Sequence, residues 1–385
     1  MNISLFFDPV SEELINLNSD FGSFENAFYI NTQGTIEWRN YHIALIGLNE
    51  YRSNSIHTEN QLHAADNIRK ELYKLKKSQV TYNMCDLGNL RAGETTTDTQ
   101  ERLREVCSAL LENNTIPIII GGTHDMSVGQ YHGYQQLQKL VTVLNIDSCI
   151  DLQTDHTSEN NGNFLNKILL HEPNYLMNFI QLGYQSYLND HNLLNVFEKL
   201  NFEHYRLGSL RDQFEEIEPT IRQANMISID LNAVKIQDAP AQYHNRPFGF
   251  TGEELCRIAW YAGLGEKSNS FGIYEYYPEL DKNCQTANLI ATVIWYFVEG
   301  YYHRIPLENF GTDAFINYKV SVSEYEILEF FKHKYTEKWW LKVPKLNSPN
   351  PDVDYITVPC SYKDYLSANQ GDLPNRWIQS QARML

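Results

Sequence analysis

The sequence predicts an α/β fold: a mainly parallel sheet with helices on both faces. Three observations carry that expectation. Short β-branched runs alternate with longer helical patterns through most of the chain. Several of those runs are almost continuously apolar. Helical patterns are numerous enough to cover two faces of a sheet. Continuous apolar runs belong to strands buried on both sides, and strand–helix–strand repetition gives right-handed crossovers between parallel strands.

The expected strands are 42–48, 80–85, 116–120, 141–146, 179–184, 226–231 and 270–276. Between them lie expected helices at 57–77, 98–113, 125–138, 213–224, 252–264 and 283–300. Two helix starts carry capping patterns. Asp98 stands three residues before Glu101, and Thr251 three before Glu254. Each pair joins an N-cap oxygen to a carboxylate that can reach back to the free amides. Two regions leave this rhythm. Residues 1–40 read as an irregular N-terminal extension, and 41–302 as the α/β domain. Residues 303–385 read as an aromatic-rich C-terminal extension, holding Lys338-Trp339-Trp340, an expected loop at 347–352, and Val358-Pro359-Cys360. Its aromatic density predicts packing against the body of the protein.

Composition narrows the function. The 385 residues include 31 Lys+Arg and 48 Asp+Glu, a formal net charge of −17. Without basic clustering, neither nucleic acid nor an anionic membrane surface is an expected partner. At 42% hydrophobic, the chain can bury a large core and lacks the signature of disorder. The first residues carry no basic, then apolar, secretory pattern. The longest apolar stretch, 289–298, is interrupted by Thr292 and is too short for a bilayer. Six cysteines form no CxxC pair, so a reducing cytoplasm is the expected compartment.

Ligands of open parallel sheets bind beyond the carboxyl ends of the strands. Three strand ends hold groups of interest. After 116–120 comes Gly121-Gly122-Thr123-His124-Asp125, whose glycines permit a tight turn below a histidine. Alone, that histidine reads most simply as a structural hydrogen-bonding residue. After 141–146 comes Asp147-Ser148-Cys149-Ile150-Asp151. Extended backbone puts Asp147, Cys149 and Asp151 on one side. Close like charges repel, so a cation is one reading, and a solvated loop of capping aspartates is the other. After 226–229 comes Asp230-Leu231-Asn232, which places Asp230 and Asn232 on one face.

Together these stretches resemble the ureohydrolase superfamily of arginase, agmatinase and formimidoylglutamase. That family carries a Gly-Gly-Asp-His turn, an Asp-x-His-x-Asp strand end and a Ser-Phe-Asp-x-Asp strand end. The matching stretches here are Gly121-Gly122-Thr123-His124, Asp147-Ser148-Cys149-Ile150-Asp151 and Ser228-Ile229-Asp230-Leu231-Asn232. Ile43-Ala44-Leu45-Ile46-Gly47, Asp86-Leu87-Gly88 and Ile273-Tyr274-Glu275-Tyr276-Tyr277-Pro278 are similar as well. Coverage is roughly residues 42–300, and among members the chain leans toward formimidoylglutamase-like relatives.

The resemblance implies a three-layer α/β/α sandwich with a mainly parallel eight-stranded sheet. It implies two Mn²⁺ ions at the strand ends that activate a bridging hydroxide against a guanidinium or amidine carbon. Carried over by position, the first ion would be held by His124, Asp147, Asp151 and Asp230. The second would share Asp147 and Asp230 and add two ligands of its own, at the positions of Cys149 and Asn232. A thiol and an amide are poor exchanges for imidazole and carboxylate toward Mn²⁺. One ion is therefore expected rather than two, with Zn²⁺ through Cys149 a less favoured choice. Thr123 replaces the family's Asp beside the ligand histidine. Lys235 stands where an Asp is usual; it reads as an exposed loop lysine, with pairing to Asp230 the alternative. Glu275 matches the family carboxylate that contacts the guanidinium or formimino group. Two functions compete. One is a metal-dependent hydrolase of a C–N bond in a small linear amidine or guanidino compound. The other is a catalytically silent relative acting as a binding or scaffold protein. A homo-oligomer is implied by the resemblance alone.

Overall fold

The computed structural model describes residues 2–15, 20–53, 63–152, 164–305, 310, 312–323, 326–345 and 354–383. Ten strands form one sheet: β1 (Phe7–Asp8), β2 (Phe28–Ile30), β3 (Ile43–Leu48), β4 (Met84–Leu90), β5 (Ile116–Ile120), β6 (Val141–Ile146), β7 (Leu176–Tyr184), β8 (Glu203–Arg206), β9 (Met226–Asp230) and β10 (Ser270–Tyr274). Their order is β1-β4-β3-β5-β10-β9-β6-β7-β8, with β2 also on β4. From β4 to β8 this gives eight strands, all paired in parallel; only β1 runs antiparallel. The expected α/β class and the parallel sheet are both present.

Side chains alternate across this sheet as a period of two requires. Leu45, Ile118, Ile120, Ile146, Ile229 and Ile273 enter one core. It is closed by α1 (Ala64–Leu72), α6 (Leu207–Asp212), α7 (Glu218–Arg222), α8 (Gly252–Leu264) and α9 (Gln285–Tyr302). Ala44, Ile46, Ile119, Val143 and Met226 enter the opposite layer. There they meet α2 (Thr96–Glu112), α3 (Ser127–Gln136), α4 (Phe164–Leu169) and α5 (His191–Lys199). Strands β3, β5, β6, β9 and β10 are buried along their whole length, which accounts for their nearly continuous apolar runs. Each fully buried Ile or Leu contributes roughly 1.5–3 kcal/mol.

Several expected boundaries move. The strand expected at 80–85 is β4, shifted to Met84–Leu90, because Asp86 and Asn89 continue the ladder with β3 and Asn89 also pairs with β1. Such residues are poor strand formers, but the buried Arg69 guanidinium holds Asp86 through Nε at 2.8 Å and Nη2 at 2.9 Å. The start of α2 is capped one turn earlier than expected, with Thr95 as N-cap and Asp98 as its reciprocal partner. The Thr251–Glu254 box is as expected. The helix expected at 213–224 breaks into a 3₁₀ turn, Phe214–Ile217, and the short α7, which carries Pro219 in its first turn. Of the helix expected at 57–77, residues 57–62 lie outside the described residues, and α1 ends at Leu72. The chain before β3 adds β1 and β2 to the sheet edge and buries Phe7, Phe24 and Trp38.

After α9 the chain forms a second, antiparallel sheet. Its strands β11 (Phe315–Ser323), β12 (Glu326–His333), β13 (Trp339–Pro344) and β14 (Tyr355–Cys360) pair in sequence order. They are followed by α10 (Tyr362–Asn369) and α11 (Asn375–Ala382). β11 alternates from Tyr318 to Ser323, whereas β12 and β13 carry buried apolar residues on both faces. Trp339 packs with Tyr318 and Tyr365 on one side, while Trp340 packs with Phe315 and Phe331 on the other. Trp340 also lies under the Arg222 guanidinium of α7, 4.6 Å from its ring centroid. Arg222 further donates to Trp339 O at 3.1 Å, and Lys338 pairs with Glu218 at 2.9 Å. The loop expected at 347–352 lies outside the described residues. No described helix is long and apolar enough to cross a membrane. All six cysteines are free thiols.

Candidate metal centre

Four neighbouring strands, β5, β10, β9 and β6, end at one level, with Ile120 paired to Ile273 and Asp230 to Tyr274. Their ends deliver His124, Glu275, Asp230 and the Asp147–Asp151 segment to one place. The turn after β5 depends on its glycines. Gly121 and Gly122 have φ of +90° and +78°, and a Cβ on Gly121 would stand 2.6 Å from Leu48 O. Thr123 then enters the 3₁₀ turn His124–Met126.

His124 is 2% exposed, and its two ring nitrogens have different surroundings. Nε2 is 2.9 Å from the Ser228 hydroxyl. Nδ1 faces three carboxylate oxygens: Asp147 Oδ2 at 3.6 Å, Asp151 Oδ2 at 3.4 Å and Asp230 Oδ2 at 3.5 Å. The other oxygens of two of these groups are committed elsewhere. Asp147 Oδ1 accepts from Cys149 N at 3.0 Å, and Asp230 Oδ1 accepts from Asn232 N at 2.6 Å. One ligand atom from each of the four residues lies within 4.8 Å of the others. His124 Nδ1 and Asp147 Oδ2 are buried without a hydrogen-bond partner among the described residues. Buried polar atoms are nearly always partnered. A cation among these atoms would partner both, and the donor set of one imidazole and three carboxylates suits a hard or borderline divalent ion.

The electrostatics agree with that fit. Burial, then the charges of Asp230 and Asp151, hold the Asp147 carboxyl well above its usual range. Asp151 is raised chiefly by burial, against the opposing pull of His124. Burial disfavours a charged His124, but the carboxylates outweigh it and raise the imidazole well above its usual value. These are the responses of crowded anions with too little positive charge among them.

Glu275 follows β10 with φ of +65°, a strained value for a residue with a side chain. Its Oε1 accepts from His124 N at 2.8 Å, its Oε2 from the Tyr277 hydroxyl at 2.6 Å, and its own N donates to Gly122 O at 2.9 Å. Burial, with Asp230 adding, pushes its carboxyl up to about 8. Glu275 therefore ties the histidine turn to β10, and each oxygen keeps a second lone pair.

Cys149 and Asn232 stand beside the cluster but not within it. Asn232 Oδ1 accepts from His244 N at 3.2 Å, and Cys149 Sγ lies 3.5 Å from Arg246 Nη2. Burial, then Asp147 and Asp151, push the Cys149 thiol up to about 12, so the group is neutral. Thr123 donates to Asp125 Oδ1 at 2.6 Å, and Asp125 Oδ2 accepts from Ser53 and Gln100. Lys235 pairs with Asp238 at 3.3 Å, not with Asp230.

Three contributors were not singled out from the sequence. Ser228 shares the Asp230 face of β9 and could have been found by its period of two. Phe164, against the His124 ring at 4.6 Å between centroids, and Arg246 have no spacing signal.

The model of the Arginase family matches residues 41–299. Formimidoylglutamase of Geobacillus sp. is 24% identical over 241 residues, covering 60% of this chain and 74% of that protein. Formimidoylglutamase of Macrococcus caseolyticus is 26% identical over 231 residues, covering 58% and 72%. Among solved structures, formiminoglutamase of Trypanosoma cruzi with Mn²⁺ superposes with a TM-score of 0.63 at 16% identity, covering 70% of this chain and 96% of that one. Formimidoylglutamase of Bacillus subtilis gives 0.65 at 21% identity, covering 74% and 94%. The structural likenesses establish a shared fold. The family match spans the whole parallel sheet from β3 to β10 and every strand end that builds the cluster, and by it the chain belongs to the arginase family.

Proposed function

We propose that this protein hydrolyses a C–N bond of a small linear amidine or guanidino compound, N-formimino amino acids first among them. It does so with one divalent ion held by His124, Asp147, Asp151 and Asp230. The observation that carries the reading is the buried cluster itself: four ligand atoms within 4.8 Å, two of them buried and unpartnered among the described residues. The curated relatives named formimidoylglutamase support the substrate class.

An ion bound there would supply charge that acidifies a water and polarises the amidine. The protein's own part is positional. Ser228 fixes the outer nitrogen of His124, so that Nδ1 is the one presented to the carboxylates. The amides of Cys149 and Asn232 orient Asp147 and Asp230. Glu275 holds the His124 backbone and offers its remaining lone pairs to an amidinium N–H. Overall, water adds its oxygen to the amidine carbon, the C–N bond breaks, and the leaving nitrogen takes a proton. A formimino substrate gives formamide and an amino acid; a guanidino substrate gives urea and an amine. Oxygen-rich ligation favours Mn²⁺, with Zn²⁺ the second choice. A reducing compartment, consistent with six free thiols, and a homo-oligomeric assembly belong to the same reading.

The test is release of formamide, urea or ammonia from a panel of formimino and guanidino compounds by protein loaded with Mn²⁺ or Zn²⁺. Asp147→Ala and His124→Ala should abolish it. No turnover of any substrate would favour the second reading, a silent relative that binds without reacting. One observation supports that alternative: Cys149 and Asn232 are engaged by Arg246 and His244.

A further inference from the structure

The two residues at the positions of the second ion's own ligands do not fit that duty, and one short segment engages both. We infer that Arg246 is a built-in cation that replaces the second ion, so that the cluster holds a single metal as a consequence of the fold. This rests on the proposed reading that His124, Asp147, Asp151 and Asp230 hold an ion.

Arg246 is held at its backbone from two sides. Its N donates to Gln242 Oε1 at 3.1 Å, and its O accepts from Ile236 N at 2.7 Å. Gln242 is fully buried and is itself fixed, donating to Val234 O at 2.8 Å and Ala239 O at 2.9 Å. The guanidinium then lies against the position of one missing ligand, with Nη2 3.5 Å from Cys149 Sγ. Two residues earlier, His244 N takes the side-chain oxygen at the position of the other, Asn232. Arg246 Nε is buried and has no hydrogen-bond partner among the described residues.

A guanidinium stays charged at every working pH. Against Cys149, two residues from both Asp147 and Asp151 in the chain, it supplies positive charge without a metal. It also repels a divalent ion brought to the same side. A cysteine suits this place because a neutral thiol can accept a guanidinium N–H, whereas an imidazole ligand would compete with the arginine for the same space. The replacements of the histidine and the aspartate then read as one coordinated change, completed by an arginine far along the chain.

The experiment is metal content per folded chain, by elemental mass spectrometry after dialysis against Mn²⁺. Four proteins are compared: the unmodified chain, Cys149→His/Asn232→Asp, Arg246→Ala, and all three substitutions together. One ion is expected in the first three and two in the triple variant. Two ions in the double variant with Arg246 intact would overturn the inference, because the arginine would then exclude nothing. One ion in the triple variant, with one already in the unmodified chain, would overturn it as well, while sparing the proposed site. No ion in the unmodified chain but at least one in the triple variant would sink the proposed site and support the arginine. No ion in any of the four would sink both.

If the triple variant fails to fold, the single substitutions decide. Arg246→Ala should tighten Mn²⁺ binding at the first site by about tenfold, measured by calorimetry, and Arg246→Lys should leave it unchanged. Equal affinity in all three proteins would reject the arginine as a cation acting on the site, since a merely structural role would not follow the charge.

Discussion

Two sets of buried charges lie in this fold, and their surroundings are opposite. Asp86 and Arg69 are both fully buried. Asp86 accepts from Arg69 through both oxygens, from Tyr73 Oη at 2.8 Å and from Gly88 N at 2.9 Å. Arg69 also reaches Gly88 O at 2.8 Å and Asp66 at 3.1 Å. The strand-end cluster has three carboxylates around one imidazole nitrogen and leaves His124 Nδ1 and Asp147 Oδ2 without partners among the described residues. Burial alone therefore does not mark a functional site. A buried charge whose partners all come from the chain holds the structure. A buried charge left short of partners calls for something from outside.

The largest expected effect falls on the satisfied set. Arg69→Leu leaves Asp86 buried without its cation and should cost about 3–5 kcal/mol in urea unfolding. A loss below ~1 kcal/mol would show that the pair is not a structural anchor. The cluster should respond the other way. Mn²⁺ at 1,000 times its dissociation constant should stabilise the unmodified protein by about 4 kcal/mol. Asp147→Asn should remove that gain and leave the metal-free protein no less stable, because the ionised Asp147 is disfavoured where it lies. A metal-free variant much less stable than the parent would reverse the contrast. Ser228→Ala frees the outer nitrogen of His124 and should weaken Mn²⁺ binding 10–100-fold in a direct titration while the fold persists.

The smallest effect concerns a third buried carboxylate. Glu203 accepts from Arg383 at 2.8 Å, from Asn178 at 2.9 Å and from Tyr205 at 2.6 Å. Burial raises its carboxyl, but Arg383 and Tyr205 prevail and hold it below its usual value. A depressed carboxyl adds stability above its unfolded value of 4.5, and that contribution is lost as the pH falls through the folded value. The stability difference between the parent and Glu203→Gln should therefore be full at pH 7 and shrink below pH 4.5. A difference that does not change with pH would remove Glu203 from the satisfied class. Glu203 and Asp147 shift in opposite directions although both are buried: Arg383 and the Tyr205 hydroxyl lower the one, and the charges of Asp230 and Asp151 raise the other.

Much of this site was readable because its residues are set by local geometry. Asp147 and Asp151 share a face by alternation, Gly121-Gly122 announces a turn, and Ser228 with Asp230 repeats the same period on β9. Glu275 was readable as a strand-end carboxylate, but not as the residue that holds the His124 backbone, because that bond joins positions far apart in sequence. The thiol of Cys149 gave no clue to its partner. Arg246 reaches it from 97 positions away, through a loop whose shape is set by Gln242. In the antiparallel sheet β11–β14 the alternation of β11 was open to reading, but in β13 both faces are covered, so that Trp339 and Trp340 are each buried and the period is lost.

The sequence by itself determined the α/β class, the parallel strands and the order in which their ends bring up His124, Asp147, Asp151, Asp230 and Glu275. These follow from short-range rules: the periods of strand and helix, the freedom of glycine at positive φ, and the rule that parallel sheets bind at their carboxyl ends. Tertiary structure alone decided which charges meet. It placed Arg69 on Asp86 and Arg383 on Glu203, and brought Arg246 against the neutral thiol of Cys149. Coulomb and hydrogen-bond energies depend on distances of a few ångströms, and only the packed chain sets those distances between residues remote in sequence.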